Sequence, residues 1–123
     1  MRFKGFNVRS KYKNKKVEVD GMKFDSKREY NRWMELQIME KAGLISNLQR
    51  QVPFELIPKQ KVNIQKGTGH ITVSERSVKY IADFVYMQDG RKVVEDTKGL
   101  RTPEYVIKRK LLLYRYGLKV NEI

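Results

Sequence analysis

The sequence predicts an α/β (α+β) fold, in which a central mixed β-sheet is flanked by helices and preceded by a basic N-terminal arm. Three observations support this prediction. Two segments begin and end with helix-capping signals, stretches rich in β-branched and aromatic residues lie between them, and an Asp-Gly pair separates the two strongest stretches. Strands interspersed with helices are typical of a domain built around one sheet. We therefore expect an arm at residues 1–16 and one domain at residues 17–123.

The composition restricts the class of protein. The chain has 123 residues, of which 40% are hydrophobic, and this is enough apolar material for one buried core. It contains no cysteine, which excludes disulfide frameworks, thiolate zinc sites and cysteine nucleophiles and suits a reducing compartment. No segment is apolar enough to predict a membrane span or a signal peptide. We expect an intracellular, cytoplasmic protein without a membrane partner.

The positive charge of the chain points to nucleic acid as a partner. Lys and Arg number 27 against 14 Asp and Glu, a formal net charge of +13, and nucleic acid is the commonest polyanion inside cells. The arm and the last predicted helix are both rich in basic residues, which either contact phosphates or form ordinary solvated surface. The candidate phosphate-binding residues are Arg9, Lys11, Lys13, Lys15, Lys16, Lys108 and Arg109.

The first part of the domain is predicted to be a hairpin followed by a helix. An Asp-Gly pair at 20–21 accepts the positive φ angles of a type I′ turn between two short strands. Ser26 and Glu29 have the spacing of a capping box, which predicts a helix that runs to about Ala42 and stops at Gly43. Its expected buried face consists of Tyr30, Trp33, Met34, Ile38 and Ala42.

Extended structure is predicted for the middle of the chain. Residues 47–57 have a strand pattern, and Pro53 within them indicates an edge strand or a bulge. The polar, glycine-containing residues 58–77 indicate strand and loop structure whose shape the sequence does not define. Two β-rich stretches, residues 77–88 and 91–98, flank a second Asp-Gly pair and predict a second hairpin.

The C-terminal part is predicted to be a helix and a strand. Thr102 has the chemistry of an N-cap and Pro103 suits the first helical position. This helix should end near Tyr116, because Gly117 follows it. Residues 118–123 then form a last strand.

Two carboxylates face each other in the predicted second hairpin. Counting outward from a two-residue turn pairs Asp83 with Asp96, so that their Cβ atoms lie about 4.5–5.5 Å apart. Strand alternation places Lys98 on the same face and Glu95 on the opposite face. The other residues expected on the carboxylate face are the apolar Ile81, Val85 and Val94. Like charges in such surroundings need a compensating cation, and oxygen ligands favour Mg²⁺ or Mn²⁺.

Each of these residues also has a structural alternative. The two aspartates could form a salt-bridged pair on a solvated face, and Lys98 could be a surface ion-pair lysine. Glu95 could replace Asp96 as a ligand if a bulge turned the strand over, and a one-residue slip in register would separate the carboxylates.

The arrangement of Asp83 with Asp96-Thr97-Lys98 on the next strand resembles the PD-(D/E)XK nuclease superfamily, with Ala82-Asp83 where the family has Pro-Asp. Through residues 15–29, 80–84 and 93–99 the chain is similar to small phage and prophage endonucleases described as Holliday-junction-resolvase-like. The (D/E)-x-Lys motif alone is weak, since it also occurs at residues 25–27, where a helix start rather than a strand is predicted.

This resemblance implies a restriction-endonuclease-like core that hydrolyses DNA phosphodiester bonds with Mg²⁺ or Mn²⁺. It implies that Asp83, Asp96 and Glu29 bind the metal ion and that Lys98 orients or polarises the attacking water; Glu29 could instead serve only as a helix cap. A likeness to junction resolvases implies branched DNA as substrate, a possible homodimer, and a phage setting in recombination, replication or packaging.

Two other functions are consistent with parts of the sequence. A non-catalytic nucleic-acid-binding protein would account for the charge and the arm, but such a protein gains nothing from two opposed carboxylates. A metal-free ribonuclease with His70 as general base is the other alternative, although a lone loop histidine is most often simply solvated.

Overall fold

The computed structural model describes residues 15–123, which form eight strands and two helices. No helix among these residues is both long and apolar enough to cross a membrane. In chain order the elements are β1 (Val17–Val19), β2 (Met22–Phe24), α1 (Lys27–Lys41), β3 (Ser46–Ile57), β4 (Gln60–Lys66), β5 (Gly69–Glu75), β6 (Val78–Gln88), β7 (Arg91–Asp96), α2 (Pro103–Tyr116) and β8 (Val120–Glu122).

A four-stranded mixed sheet in the order β3-β6-β7-β8 forms the centre of the fold. The β3, β6 and β7 strands are antiparallel neighbours, and β8 joins β7 in parallel. This confirms the predicted α+β class and mixed sheet. Strand β3 lies at the edge, as the proline predicted, and Pro53 occupies a regular position opposite Ile81.

Two hydrophobic clusters hold the helices on the sheet. One contains Leu112 of α2 together with Val94 of β7, and the other contains Leu36 of α1 with Val93 packed against it. Because neighbouring residues of a strand point to opposite faces, the two helices cover opposite faces of the sheet. The end of the sheet where β7 stops therefore lies between two packed layers.

The buried face of α1 differs from the predicted one. Leu36 is fully buried and Trp33 stacks on Phe84 of the sheet, with ring centroids 6.1 Å apart. In contrast, Met34 and Ile38 are 42% and 66% exposed, so the prediction that they face the core was wrong. Ala42 is also exposed. The apolar spacing allowed two overlapping stripes, and contact with the sheet selects the one through Leu36.

The element ends that turn and capping signals predicted agree closely with the structure. Asp89 and Gly90 have φ angles of 52° and 75°, which are the left-handed values that a type I′ hairpin turn requires. Helix α2 begins and ends as predicted, because the Thr102 side chain accepts a hydrogen bond from Tyr105 N and Gly117 closes the helix at φ 68°. The last strand is shorter than predicted.

The polar residues 58–77, for which the sequence predicted no defined shape, contain a separate two-stranded ribbon. Strands β4 and β5 pair along their whole length around a Gly67-Thr68 turn and form a sheet of their own. None of the buried residues of the two hydrophobic clusters comes from this ribbon. The ribbon is therefore an appendage of the domain rather than part of its core.

Candidate functional site

The predicted pairing of the second hairpin is confirmed. The ladder between β6 and β7 runs from Gln88 opposite Arg91 to Phe84 opposite Glu95, so Asp83 and Asp96 are the next residues on the two strands. Asp83 lies close enough to Asp96 to raise the pKa of that buried carboxyl. The register thus brings together two carboxylates at the end of the sheet.

Asp96 is buried, with 2% of its surface exposed. The Tyr80 hydroxyl donates a hydrogen bond to Asp96 Oδ2. The pKa of Asp96 is raised to about 7, first by burial and then by the neighbouring Asp83, while the Tyr80 hydrogen bond and the Lys98 charge act in the opposite direction. A carboxylate in this position is costly to ionise unless a cation lies nearby.

Lys98 lies beside this pair, just beyond the end of β7. Its Nζ atom is 3.6 Å from Asp96 Oδ2 and 4.6 Å from the centre of the Tyr105 ring. The ion pair and the cation–π contact fix where the amino group lies. The structure therefore places Lys98 on the carboxylate face, as strand alternation predicted.

Asp83 is half-buried and is held by the residue that follows Asp96. Thr97 donates to Asp83 Oδ2 twice, from its backbone nitrogen at 2.9 Å and from its hydroxyl at 2.8 Å. The other oxygen, Oδ1, lies 3.4 Å from Gln51 Nε2. One oxygen of Asp83 is thus fixed by β7, and the other is directed towards the edge strand β3.

The alternation of β6 side chains between the two faces of the sheet is interrupted at Asp83. Ala82 and Val85 belong to the same core cluster although they are three residues apart, and Phe84 belongs to the cluster on the other face. Ile81 is consequently 54% exposed, so the prediction that it shares an apolar face with the carboxylates was wrong. On β3, Gln51 has a φ of 52°, a left-handed value that interrupts regular alternation opposite this point.

Gln51 links the carboxylates and was not identified from the sequence. Its Nε2 atom lies 3.1 Å from Glu29 Oε2 and 3.4 Å from Asp83 Oδ1. An exposed glutamine on a predicted strand gives no signal of this kind. Only the positive φ angle, which turns the side chain towards the helix, creates the contact, and no turn signal in the sequence marks it.

Glu29 caps the start of α1 with one carboxylate oxygen and turns the other towards Gln51. Its Oε1 atom accepts a hydrogen bond of 2.8 Å from Asp25 N, while its own backbone nitrogen donates to Ser26 Oγ at 3.1 Å. The other oxygen, Oε2, faces Gln51 and lies 3.8 Å from Arg50. Burial raises the pKa of Glu29, and the charge of Asp83 contributes to the increase. One oxygen caps the helix and the other faces the carboxylate pair.

Glu95 lies outside this group. Arg32 donates to both of its carboxylate oxygens, at 2.9 and 2.7 Å, and the Tyr86 hydroxyl donates a further hydrogen bond. Both partners lie on the α1 side of the sheet, so the bulge that would have exchanged Glu95 for Asp96 does not occur. The second motif copy at residues 25–27 contains the N-cap Ser26 and is part of a helix start. His70 is an exposed residue of the ribbon, paired with Gln65.

The predicted phosphate-binding residues are in several different surroundings. Lys15 and Lys16 are exposed at the start of the described chain. Lys108 forms an ion pair of 3.1 Å with Glu104, and Arg109 is half-buried. Three further candidates, Arg9, Lys11 and Lys13, lie outside the described residues.

The donor set suits a hard divalent cation that retains water ligands. Within residues 15–123 no three carboxylate or histidine side chains are already arranged to enclose a metal ion. Mg²⁺, however, is usually bound through one or two carboxylates and completes its octahedron with water and substrate phosphate oxygens. Asp83 and Asp96 provide such a pair, and the raised pKa of Asp96 is the effect that a bound cation would offset. Glu29 is linked to Asp83 through the Gln51 side chain, which contacts both carboxylates.

Comparison with known proteins gives a family but no function. Residues 9–122 match the family described as "Protein of unknown function (DUF1064)". No curated protein and no solved structure matches the chain. Because the match spans nearly the whole chain, it includes every residue of the carboxylate group described above.

Proposed function

We propose that the chain, which belongs to the DUF1064 family, is a divalent-metal-dependent endonuclease that hydrolyses DNA phosphodiester bonds. One observation carries this proposal: Asp83 and Asp96 are held side by side at the end of the sheet, with Lys98 at 3.6 Å from the second of them. The sheet and its two covering helices then correspond to a restriction-endonuclease-like core. The same proposal makes Asp83 and Asp96 the metal ligands.

The energetic cost of the carboxylate pair supports a functional role. Two adjacent aspartates, one of them almost fully buried, disfavour the state in which both are ionised; Lys98 and a proton on Asp96 offset this cost in the metal-free protein, and a bound cation would offset it with both carboxylates ionised. Thr97 and Tyr80 donate hydrogen bonds to the carboxylates, which fixes the directions of both acids and partly stabilises their ionised forms. Such preorganisation is typical of a binding or reaction centre.

Each side chain has a distinct task in the proposed reaction. Asp83 and Asp96 hold the divalent cation, and Glu29 supports it from the start of α1. When bound, Mg²⁺ or Mn²⁺ lowers the pKa of a coordinated water and neutralises charge on the phosphate. Lys98 contributes a positive charge at the same place, which would orient the water and stabilise the negative charge on the phosphoryl oxygens in the transition state.

Thr97 and Gln51 are positioning residues in this scheme. Thr97 fixes one oxygen of Asp83 with two hydrogen bonds, so the carboxylate cannot rotate away from Asp96. Gln51 donates to Glu29 and Asp83 and holds these two acids near each other. Partners of this kind set ligand orientation and tune metal affinity.

The substrate assignment rests on charge and on the resemblance to junction endonucleases. A net charge of +13 attracts a polyanion, and we propose branched DNA of phage recombination or replication as that polyanion, met in the host cytoplasm. Symmetrical cutting of two strands would require a homodimer. The oligomeric state is measurable by sedimentation velocity with and without a four-way junction.

The decisive experiment compares cleavage by the wild type and Asp83→Asn on matched four-way-junction and linear-duplex DNAs. Cutting should require Mg²⁺ or Mn²⁺ and should fall at least about 100-fold in the variant, while DNA binding persists. Asp89→Asn is the matched control, because Asp89 is an exposed turn residue whose left-handed φ asparagine also accepts. Equal cutting by wild type and Asp83→Asn would contradict the assignment.

The same experiment decides the alternative of a non-catalytic binding protein. Such a protein would bind both DNAs with a steep salt dependence, would cut neither, and would bind no better with Mg²⁺. Calorimetric titration of Mg²⁺ and Mn²⁺ into the protein, alone and with DNA, separates the two functions independently of turnover. Absence of heat in every titration would favour the binding protein.

A further inference from the structure

A cavity of about 440 Å³ adjoins the carboxylate group on the side of the α1 N-terminus. It is formed where the start of the described chain, the beginning of α1 and the segment after β7 meet. Its lining residues are Lys15, Lys16, Val17, Ser26, Lys27, Arg28, Thr97 and Gly99. Of these residues, the proposed reaction uses only Thr97.

All the ionisable side chains that line the cavity are cationic. The four residues are Lys15, Lys16, Lys27 and Arg28, and none of them forms an ion pair with an acidic side chain of the described chain. The preceding residues 1–14 contain no Asp or Glu in the sequence, so the arm cannot supply a neutralising carboxylate. Arg28 donates a hydrogen bond of 3.3 Å to the Ile123 backbone oxygen, and the lining as a whole has a net positive charge that suits an anion.

Thr97 connects the cavity to the carboxylate group. It lines the cavity, and its backbone nitrogen and hydroxyl both bind Asp83 Oδ2. Thr97 consequently lies between the carboxylate pair on one side and the cationic lining of the cavity on the other. A ligand that spans this boundary needs one part that meets the cation at the carboxylates and a second anionic part that meets the lysines.

We propose that this cavity binds a DNA backbone phosphate that neighbours the one placed at Asp83 and Asp96. The inference rests on the proposed nuclease function, since a nucleic acid strand carries a phosphate on each side of the one that is cut and Thr97 borders both the carboxylate pair and the cavity. The volume exceeds that of a phosphate alone and accommodates the attached sugar. Both a chain-internal phosphodiester and a 5′-terminal phosphate have this chemistry; the proposal is for the internal one.

The test measures DNA binding rather than cleavage, in an Asp83→Asn background without metal. The double variant Lys27→Gln/Arg28→Gln removes two cavity charges, and Arg91→Gln/Lys92→Gln removes the same charge at the exposed end of β7. We expect the cavity variant to bind the junction about 10-fold more weakly and to lower the log–log salt slope by about 1–2. The control variant should lose much less affinity. Thermal unfolding of both variants verifies that they are folded.

Neutral methylphosphonate linkages, introduced one at a time along the strand, locate the phosphate. At one internal linkage the substitution should weaken binding by the Asp83→Asn protein. The same substitution should have little further effect on the cavity variant, because that variant has already lost the charges that contact the phosphate. Comparing DNAs with a 5′-phosphate and a 5′-hydroxyl tests the terminal source. Coupling confined to the 5′-phosphate, or equal losses in the cavity and control variants, would overturn the proposal.

The experiments distinguish an error in the cavity assignment from an error in the proposed nuclease function. If the internal coupling is present but no DNA is cut with Mg²⁺ or Mn²⁺, the cavity is a phosphate site of a binding protein and the proposed reaction is wrong. If DNA is cut and the coupling is absent, the nuclease stands and the cavity assignment is wrong.

Discussion

Thr97 holds Asp83 through two hydrogen bonds to one carboxylate oxygen, from its backbone nitrogen at 2.9 Å and its hydroxyl at 2.8 Å. The contact joins β6 to the residue that follows β7, and it fixes the direction of the Asp83 carboxylate at the end of the sheet. The middle residue of the Asp96-Thr97-Lys98 motif is therefore a positioning residue, although the motif itself leaves it unspecified.

The Thr97 hydroxyl should matter to metal binding more than to stability. Thr97→Val keeps the shape and the backbone hydrogen bond but removes the hydroxyl donor, so we expect Mn²⁺ affinity to fall about 10-fold. Thr97→Ser restores the donor and should bind like the wild type. Isothermal titration with Mn²⁺ measures both variants. Unchanged affinity of the valine variant would show that the backbone contact suffices.

The two roles of Glu29 can be separated by two substitutions. Glu29→Gln retains an oxygen that can accept the Asp25 hydrogen bond and removes only the negative charge, so we expect near-normal stability and at least about 10-fold slower cleavage. Glu29→Ala also removes the helix cap and should lower the free energy of unfolding by about 1–2 kcal/mol. Urea unfolding and cleavage rates at saturating Mg²⁺ measure the two effects. Wild-type cleavage by the glutamine variant would leave Glu29 as a cap alone.

Asp96 should make the metal-free protein less stable as the pH rises. Its pKa in the folded protein is raised from 3.8 to about 7, so the folded state keeps a proton that the unfolded chain releases. The stabilising contribution is fully present below the lower value and is lost as the pH rises through the higher one. Asp96→Asn should therefore gain stability over the wild type by about 3 kcal/mol more at about pH 8 than at about pH 4.5.

The measurement is urea unfolding of the wild type and Asp96→Asn at the two pH values in the presence of EDTA. The amide oxygen introduced by the substitution can still accept a hydrogen bond from the Tyr80 hydroxyl, so the packing around the position is preserved. A stability difference that does not change with pH would contradict the raised pKa.

The ion pair on the other face of the sheet should be structural. Arg32→Met leaves the 2%-exposed Glu95 without its two guanidinium hydrogen bonds, and we expect a loss of about 3 kcal/mol in the free energy of unfolding. The double variant Arg32→Met/Glu95→Met removes the unpaired charge and should recover much of that loss. Both variants should cut DNA at a temperature where they are folded. Loss of metal-dependent cleavage in the folded double variant would make Glu95 part of the reaction centre.

Local signals in the sequence determined the element ends and one register. The left-handed φ angles of an Asp-Gly turn fix a two-residue loop, and a two-residue loop fixes which residues oppose each other, as Asp89 and Gly90 do here. Thr102 and Gly117 likewise mark the ends of α2 because each acts on backbone groups within a few residues. These signals were sufficient to predict that Asp83 and Asp96 would lie at adjacent strand positions.

The tertiary structure alone decided which faces are buried and how the site is completed. Met34 and Ile38 have the spacing of a core face, but the sheet packs against Leu36 instead. The contact of Gln51 with Glu29 and Asp83 joins residues 22 and 32 positions apart, and it depends on a left-handed backbone angle at Gln51. Caps and turns act within a few residues and can be recognised along the chain. The packing of a helix on a sheet and the meeting of three separate elements depend on contacts between distant residues, which no local pattern specifies.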